Sequence, residues 1–425
     1  MTNNTRTVGP FPGPARGLVS VPGDKSLSHR ALIFAAMAEG ESHLEGLGPG
    51  EDIESTRQVL QALGVDITND VVSSPGIGGW TAPLDDLDCG NSGTTLRLLA
   101  GALAGRPFTS TMVGDHSLSR RPMRRLVGPL EILGARVSTS PGGTAPVTVV
   151  GGGLRGADVA IAMASAQLRT AFTLAALQGD RPSRVDSAPG FRDHTERFLG
   201  PLGLGEMETA TRFRVEPGAI PPFRYHVPGD PSSAAFLFAA AAITPGSDLT
   251  VQRIALSPGR VGFLDVLEAM GATVDRSITG DEMGEPVGDV RVRHAPLTGC
   301  RIQGKLAAAA LDELPLLAVV AAFASGVTGV ADAAELRAKE SDRIASTVAM
   351  IRSLGGTAEE AAAGFTITGT GGLSQGRVET DHDHRIAMSA AVAATAAGPV
   401  EIGDPDVAAV SWPTFYADLE SLWSS

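Results

Sequence analysis

One pattern is written six times along this chain of 425 residues: a polar or glycine-containing turn runs into a helix-like stretch of small apolar residues. The instances are DKSLSHRALIFAAMA, NSGTTLRLLAGALA, SAQLRTAFTLAAL, DPSSAAFLFAAAA, DELPLLAVVAAFA and DHDHRIAMSAAVAA. They begin at Asp24, Asn91, Ser165, Asp230, Asp312 and Asp381, roughly every 65 to 82 residues. A second, more amphipathic stretch follows in most units and closes on Leu-Gly or Met-Gly, as in STRQVLQALGVDI and FLDVLEAMGATVD. Gly accommodates the left-handed turn that ends a helix, and the Val, Ile and Thr residues after it favour strand. Each unit thus reads strand, helix, strand, helix, with further strands between. A helix that is apolar around most of its circumference needs cover on all sides. One such unit cannot supply it, so several must share a core. Six units divide into two threes near HVPGDP at 226–231. The expected fold is α/β (α+β): two similar globular domains with a cleft between them.

Composition narrows the function. Hydrophobic residues make up 43% of the chain, enough for substantial cores, while aromatics are only 4%, so Ala, Val, Leu and Ile must fill them. A formal net charge of -13 argues against wrapping nucleic acid, which needs a basic footprint. It leaves room for small anionic substrates, because a local cluster of cations can sit on an acidic protein. Only three of the 34 basic Lys and Arg residues are lysines: Lys25, Lys305 and Lys339. Cys89 and Cys300 form neither a metal spacing nor a disulfide framework. Residues 1–20 lack the apolar core of a signal peptide, and runs such as AAFLFAAAAI fall short of a membrane span. A cytoplasmic protein with no membrane partner is expected.

The helix openings suggest what the domains hold. A helix N-terminus presents unpaired N–H groups and partial positive charge, and so attracts anions. The first opening adds Lys25, Ser26 and Arg30, the second Asn91, Gly93, Thr94 and Arg97, the third Ser165, Gln167 and Arg169, and the last His384 and Arg385. Capping explains any single Ser, Asp or Asn at such a place. It does not explain Lys and Arg beside Ser in GDKSLSHR, at the mouth of an otherwise apolar helix, where buried cations need anionic partners. A substrate rich in phosphate and carboxylate is indicated.

Seven blocks carry a family resemblance: GDKSLSHRALIFAA at 23–36, GNSGTTLRLLAGAL at 90–103, RRPMRRL at 120–126, SAQLRTA at 165–171, FRDHTERFL at 191–199, AKESDRI at 338–344 and DHDHRIAMSAA at 381–391. In this order they resemble bacterial-type 5-enolpyruvylshikimate-3-phosphate (EPSP) synthases. The resemblance implies an enolpyruvyl-transferase-like fold of two domains, each of three βαβαββ repeats. It places residues 23–228 in the first domain, mainly on the shikimate 3-phosphate side. Residues 1–22 plus 229–425 would form the second, with the catalytic carboxylates and phosphoenolpyruvate-binding arginines. The implied reaction moves the enolpyruvyl group of phosphoenolpyruvate onto the 5-hydroxyl of shikimate 3-phosphate, in the pathway to chorismate and aromatic amino acids. It needs no metal and no organic cofactor, and the implied enzyme is a monomer.

By the same resemblance Lys25 touches both substrates, and Ser26 and Arg30 hold the shikimate part. Ser165, Ala166 and Gln167 line shikimate 3-phosphate, with Arg192 near its phosphate and Lys339 in contact with bound substrate. Gly93, Arg121, Gln167, Arg343 and Arg385 serve phosphoenolpyruvate, and Gly93 leaves room for glyphosate as an inhibitor there. Asp312 is the base for the 5-hydroxyl and Glu340 the acid and base at the methylene carbon. Three positions depart from common family spellings: Phe191 where many relatives have Ser, Arg169 where a common subgroup has Lys, and Val410 where many members carry Lys.

Other readings compete. From the residues alone, Asp312 and Glu340 read as helix-start charges, and KESDRIAS as a solvated face with local ion pairs. RRPMRR reads as a basic surface patch. His382 and His384 between acidic neighbours are too few to indicate a metal, and structural or anion-related roles suit them better. GGGLRG at 151–156 imitates a dinucleotide-binding turn, but the next stretch is strand-like and no acidic residue follows about 20 positions on. The related enolpyruvyl transferase acting on UDP-N-acetylglucosamine usually carries a Cys on a mobile loop of its first domain. STMVGDHSLSRRP has none. A catalytically silent binding module would be expected to lose charged site residues, whereas Lys25, Arg121, Asp312, Glu340 and Arg385 are all present.

Overall fold

The computed structural model describes residues 4–423. The chain forms two compact units. One holds Lys25–Val227 with Asp281–Glu285. The other holds the chain up to Asp24, Pro228–Gly280 and everything from Pro286 onward.

The Lys25–Val227 unit contains three four-stranded sheets of one design. In each, a short strand runs parallel to a neighbour, and two further strands continue antiparallel. The orders are Arg224–His226, Glu39–Glu45, Val71–Pro75, Asp66–Thr68; Leu87–Asp88, Thr109–Val113, Val147–Val150, Arg136–Thr139; and Asp158–Ile161, Ser183–Ser187, Phe213–Val215, Gly205–Met207. The last strand of the unit, Arg224–His226, thus completes the sheet of the first repeat. Three buried helices fill the middle: Lys25–Met37, Gly93–Leu103 and Ala166–Ala176. Their small residues allow close approach. A Cβ on Gly101 would lie 2.0 Å from the Ala171 carbonyl oxygen, so this helix crossing admits only glycine.

The other unit repeats the plan. Thr273–Glu282, Glu285–Arg293, Asp248–Ala255 and Arg16–Val19 form one sheet, and Arg301–Ile302, Ser325–Val330, Gly364–Thr370 and Thr357–Ala361 a second. Thr5–Val8, Val400–Gly403 and Gly376–Val378 form a third. The N-terminal strands belong here: Thr5–Val8 pairs antiparallel with Val400–Gly403, and Arg16–Val19 parallel with Asp248–Ala255. Helices Pro231–Ile243, Leu314–Phe323 and His384–Ala397 pack on one another at the centre. All of Pro231–Ile243 is buried, as its uniformly apolar sequence requires.

The helix starts differ from the sequence reading in detail. Gly93 and His384 begin helices that the pattern places at Asn91 and Asp381, with Ser92 and Asp383 as side-chain caps. Asp312 lies in a 3-10 turn, Leu311–Glu313, ahead of the helix at Leu314. The GGGLRG stretch leads into strand Asp158–Ile161 and not into a helix, which removes the dinucleotide-binding geometry. No helix among the described residues is long and apolar enough to cross a membrane.

Candidate active site

In the Lys25–Val227 unit, side-chain hydrogen bonds tie together the starts of the three central helices. The Arg30 guanidinium donates to Thr195 Oγ1 at 2.9 Å, to Thr170 Oγ1 at 2.8 Å and to the Ser26 carbonyl at 3.0 Å. Gln167 Nε2 donates to Thr94 Oγ1 at 2.9 Å, and Arg97 Nη1 donates to Gln167 Oε1 at 2.7 Å. Ser165 caps its helix by accepting from the Leu168 N–H. Lys25 Nζ sits 3.0 Å from Asp52 Oδ2, with the lysine side chain part-exposed.

Arg121 donates to Asn91 Oδ1 at 2.7 Å, and its Nη1 would lie 3.5 Å from a Cβ on Gly93. Two other arginines of RRPMRR turn elsewhere: Arg124 to the Pro141 carbonyl and Arg125 to Met163 Sδ. Arg121 is therefore not part of a plain surface patch. Bonds to neutral acceptors orient a guanidinium without cancelling its charge. Arg30, Arg97 and Arg121, and Lys25 in its pair with Asp52, stand beside helix N-termini that favour anions themselves. Arg192 is half-buried on the segment before helix His194–Leu199.

The other unit gathers the second set. Arg343, at the start of helix Arg343–Ser353, has a side chain only 2% exposed. Its Nε and Nη2 donate to the two oxygens of Asp383 at 2.7 and 3.2 Å. Its Nη2 lies 2.7 Å from Glu340 Oε2, and its Nη1 3.5 Å from Asp312 Oδ1. Lys339 Nζ completes the group at 3.1 Å from the same Asp312 oxygen. Arg385 Nη1 reaches Glu313 Oε1 at 3.1 Å, and Ser232 donates to that oxygen too. Glu313 thereby joins the starts of this unit's three central helices. Burial alone pushes the Arg343 guanidinium down, but Asp383 and Glu340 hold it above its ordinary range. Burial pushes the Asp383 carboxyl up, and Arg343 outweighs it, leaving that carboxyl below the usual carboxylate range.

These contacts correct the plainer readings of the acidic residues. The helix at Leu314 starts without a side-chain cap, and the Asp312 carboxylate is engaged instead by Lys339 and Arg343. The cap of helix Arg343–Ser353 is Asp342, which accepts from the Ile344 and Ala345 N–H groups, while Glu340 turns to Arg343. KESDRIAS is no solvated face, since its arginine is buried among carboxylates. His382 lies against the Asp404 carboxylate, and His384 is buried at the start of its helix.

EPSP synthase (3-phosphoshikimate 1-carboxyvinyltransferase) is the family that matches, over residues 11–419. The chain belongs to the EPSP synthase family. A 3-phosphoshikimate 1-carboxyvinyltransferase of Herpetosiphon aurantiacus is 46% identical over 411 residues, covering 94% of this chain and 95% of the relative. One of Chloroflexus aurantiacus is 45% identical over 420 residues, covering 96% and 97%. Among solved structures, an EPSP synthase from Acinetobacter baumannii superposes with a TM-score of 0.87 at 37% identity, covering 98% of this chain and 97% of that one. The enolpyruvyl transferase NikO from Streptomyces tendae, 16% identical with a TM-score of 0.76, shares the fold.

Within this EPSP synthase family member, five charged groups reveal their partners only in three dimensions. Asp52 lies 27 positions from Lys25, and Arg97 meets Gln167 from 70 positions away. Asp383 and Glu313 each adjoin a residue that the motifs already single out. A fifth, Arg260, is fully buried and donates to Asp24 and Asp230, both at 2.7 Å. Its signal was an arginine in an otherwise ordinary turn, SPGRVG, which carries no motif of its own.

Proposed function

We propose that this chain transfers the enolpyruvyl group of phosphoenolpyruvate to the 5-hydroxyl of shikimate 3-phosphate and releases phosphate, a step toward chorismate and aromatic amino acids. The observation that carries the reading is the assembly of Asp312, Lys339, Glu340, Arg343 and Asp383 through short ion pairs, in a chain whose family match runs from residue 11 to 419. Such an assembly offers paired proton-transfer groups beside fixed cations.

In this reading Asp312 takes the 5-hydroxyl proton as that oxygen attacks C2 of phosphoenolpyruvate, and Glu340 delivers a proton to the methylene carbon. The product of that step is a tetrahedral adduct. Glu340 then removes a proton from the new methyl group, the C2–O bond to phosphate breaks, and phosphate leaves with its electron pair. Lys339, bonded to Asp312, fixes the base in position. Lys25, Arg121, Arg343 and Arg385 balance the charge of phosphoenolpyruvate, with Gly93 leaving room beside it and Gln167 touching both substrates. Arg343 Nη1, at 3.5 Å from Asp312, is the least firmly held of its nitrogens and the one freest to turn to substrate. Ser26, Arg30, Ser165, Ala166, Gln167 and Arg192 hold shikimate 3-phosphate with Lys25, Lys339 and Asp312.

These assignments include a monomeric cytoplasmic enzyme, domains of 23–228 and 1–22 plus 229–425, and inhibition by glyphosate on the phosphoenolpyruvate side. The test is phosphate release, followed with both substrates present and with each alone. Release that requires both supports the reading. Release with UDP-N-acetylglucosamine in place of shikimate 3-phosphate, and none with the latter, would move the acceptor to a different class.

A further inference from the structure

We propose that Arg169 is a positioning residue for the shikimate 3-phosphate part of the site, acting through the Phe191 ring to hold the segment that carries Arg192. The proposal rests on the function put forward above and assigns a role to two side chains that the reaction itself leaves unused.

Residues 188–193 join strand Ser183–Ser187 to helix His194–Leu199 without regular structure. The segment contains Pro189 and Gly190, the glycine at φ 98, so it has little secondary structure of its own to fix Arg192. Arg169 supplies the fixation from beneath. It stands one turn into helix Ala166–Ala176, on the same helix start as Ser165, Ala166 and Gln167. Its Nη1 donates to Ser187 Oγ at 3.0 Å, where the segment begins. Its Nε donates to Glu196 Oε1 at 2.7 Å, just after the segment ends. Nη1 also reaches the Thr211 carbonyl at 2.7 Å. Between these anchors the Phe191 ring lies over the guanidinium, with its centre 3.8 Å from the guanidinium carbon. The Arg169 side chain is 0% exposed, and Nη2 has no hydrogen-bond partner among the described residues. The aromatic face therefore covers a cation that hydrogen bonds alone do not saturate.

Two of the positions that depart from common family spellings meet face to face in this chain. A planar guanidinium can donate in three directions and stack at the same time, whereas a lysine ammonium is a point charge that cannot stack flat. A serine at 191 would leave the guanidinium face uncovered. Arg169 and Phe191 thus form a matched pair: where a serine would offer a hydroxyl, the ring offers a rigid mount for Arg192. Through Arg169 the helix start bearing Ser165 and Gln167 and the segment bearing Arg192 move as one body.

Arg169→Lys, Phe191→Ser, Phe191→Tyr and the Arg169→Lys/Phe191→Ser double variant test this by steady-state kinetics and by amide hydrogen exchange. Each of the first two should raise KM for shikimate 3-phosphate about 3- to 30-fold, the span of a part-buried cation–π contact. KM for phosphoenolpyruvate and kcat should stay within about twofold. Phe191→Tyr should behave as the parent does, and the double variant should be little worse than either single one. Exchange should quicken across 188–193 and not elsewhere. If Arg169→Lys fails to fold, Phe191→Ser decides alone, because it spares the buried Arg169–Glu196 pair. Unchanged KM for shikimate 3-phosphate in a folded Phe191→Ser, or equal rises in both KM values, overturns the positioning role while parent turnover leaves the underlying reaction standing. A parent enzyme that does not turn over these substrates fails at the earlier step and takes this proposal with it.

Discussion

Replacing Gly93 by alanine tests the proposed phosphoenolpyruvate side with one added methyl group. Gly93 opens its helix at a negative φ, so the backbone itself accepts alanine. The added Cβ would lie 2.8 Å from Arg97 Nη1 and 3.5 Å from Arg121 Nη1. The Arg97 guanidinium must therefore retreat by roughly half an ångström or more to restore ordinary contact. That nitrogen holds Gln167 Oε1 at 2.7 Å, and the retreat stretches or breaks the bond. A hydrogen bond to a charged group contributes about 1.5–3 kcal/mol, which corresponds to about 10- to 150-fold in affinity. KM for phosphoenolpyruvate should rise within that range, and glyphosate inhibition should weaken with it. Alanine is the better helix former by about 1 kcal/mol, so the melting temperature should hold within a few degrees. Phosphate release at varied phosphoenolpyruvate reads the first effect and a thermal melt the second. A folded Gly93→Ala enzyme with parental KM and parental glyphosate inhibition would refute the placement of this subsite.

Three further outcomes are expected. Lys25→Met should lose at least about 10³-fold in turnover, yet less than about 1 kcal/mol of stability, because its pair with Asp52 is part-exposed; near-normal turnover would remove Lys25 from the chemistry. Glu340→Gln, nearly isosteric, should cost about 10²- to 10⁴-fold in kcat, the usual worth of general acid–base catalysis, and a loss confined to KM would speak against that role. Asp383→Asn should cost about 3–5 kcal/mol by uncovering buried Arg343, as measured by urea unfolding at pH 7. The Asp383 carboxyl titrates below its unfolded value of about 4, so its stabilisation is complete above that pH and fades as pH falls through the folded value. The parent should therefore lose stability on acidification where Asp383→Asn loses less, and parallel acid limbs would count against the pairing.

The repeat was readable because its signal is local. A turn residue followed by a dozen small apolar residues can only be a buried helix, and all six such helices exist. Their starts shifted where cap geometry intervened: Asp383 caps through its own side chain, and a 3-10 turn precedes Leu314. The site was readable in part. Lys25, Arg121, Arg343 and Arg385 lie in motifs, but what each one touches does not. Asp383 lies 40 positions from Arg343, and Glu313 lies 72 from Arg385, so nothing in the linear order announces either pair. Asp312 and Glu340 look like helix-start charges for the same reason, since their partners arrive from elsewhere in the fold. The coupling of Phe191 to Arg169 is of this kind as well: two unusual residues 22 apart become one device only when a helix and a loop fold together.

In the proposed reaction a tetrahedral adduct forms and collapses as a proton moves on and off the methylene carbon of phosphoenolpyruvate. Running the reaction in D₂O and reading the product by proton NMR tests this directly. Enolpyruvylshikimate 3-phosphate should carry deuterium on its vinyl carbon, with phosphate released in equal amount. Product with no deuterium on that carbon, or no product at all from the folded enzyme, would contradict it.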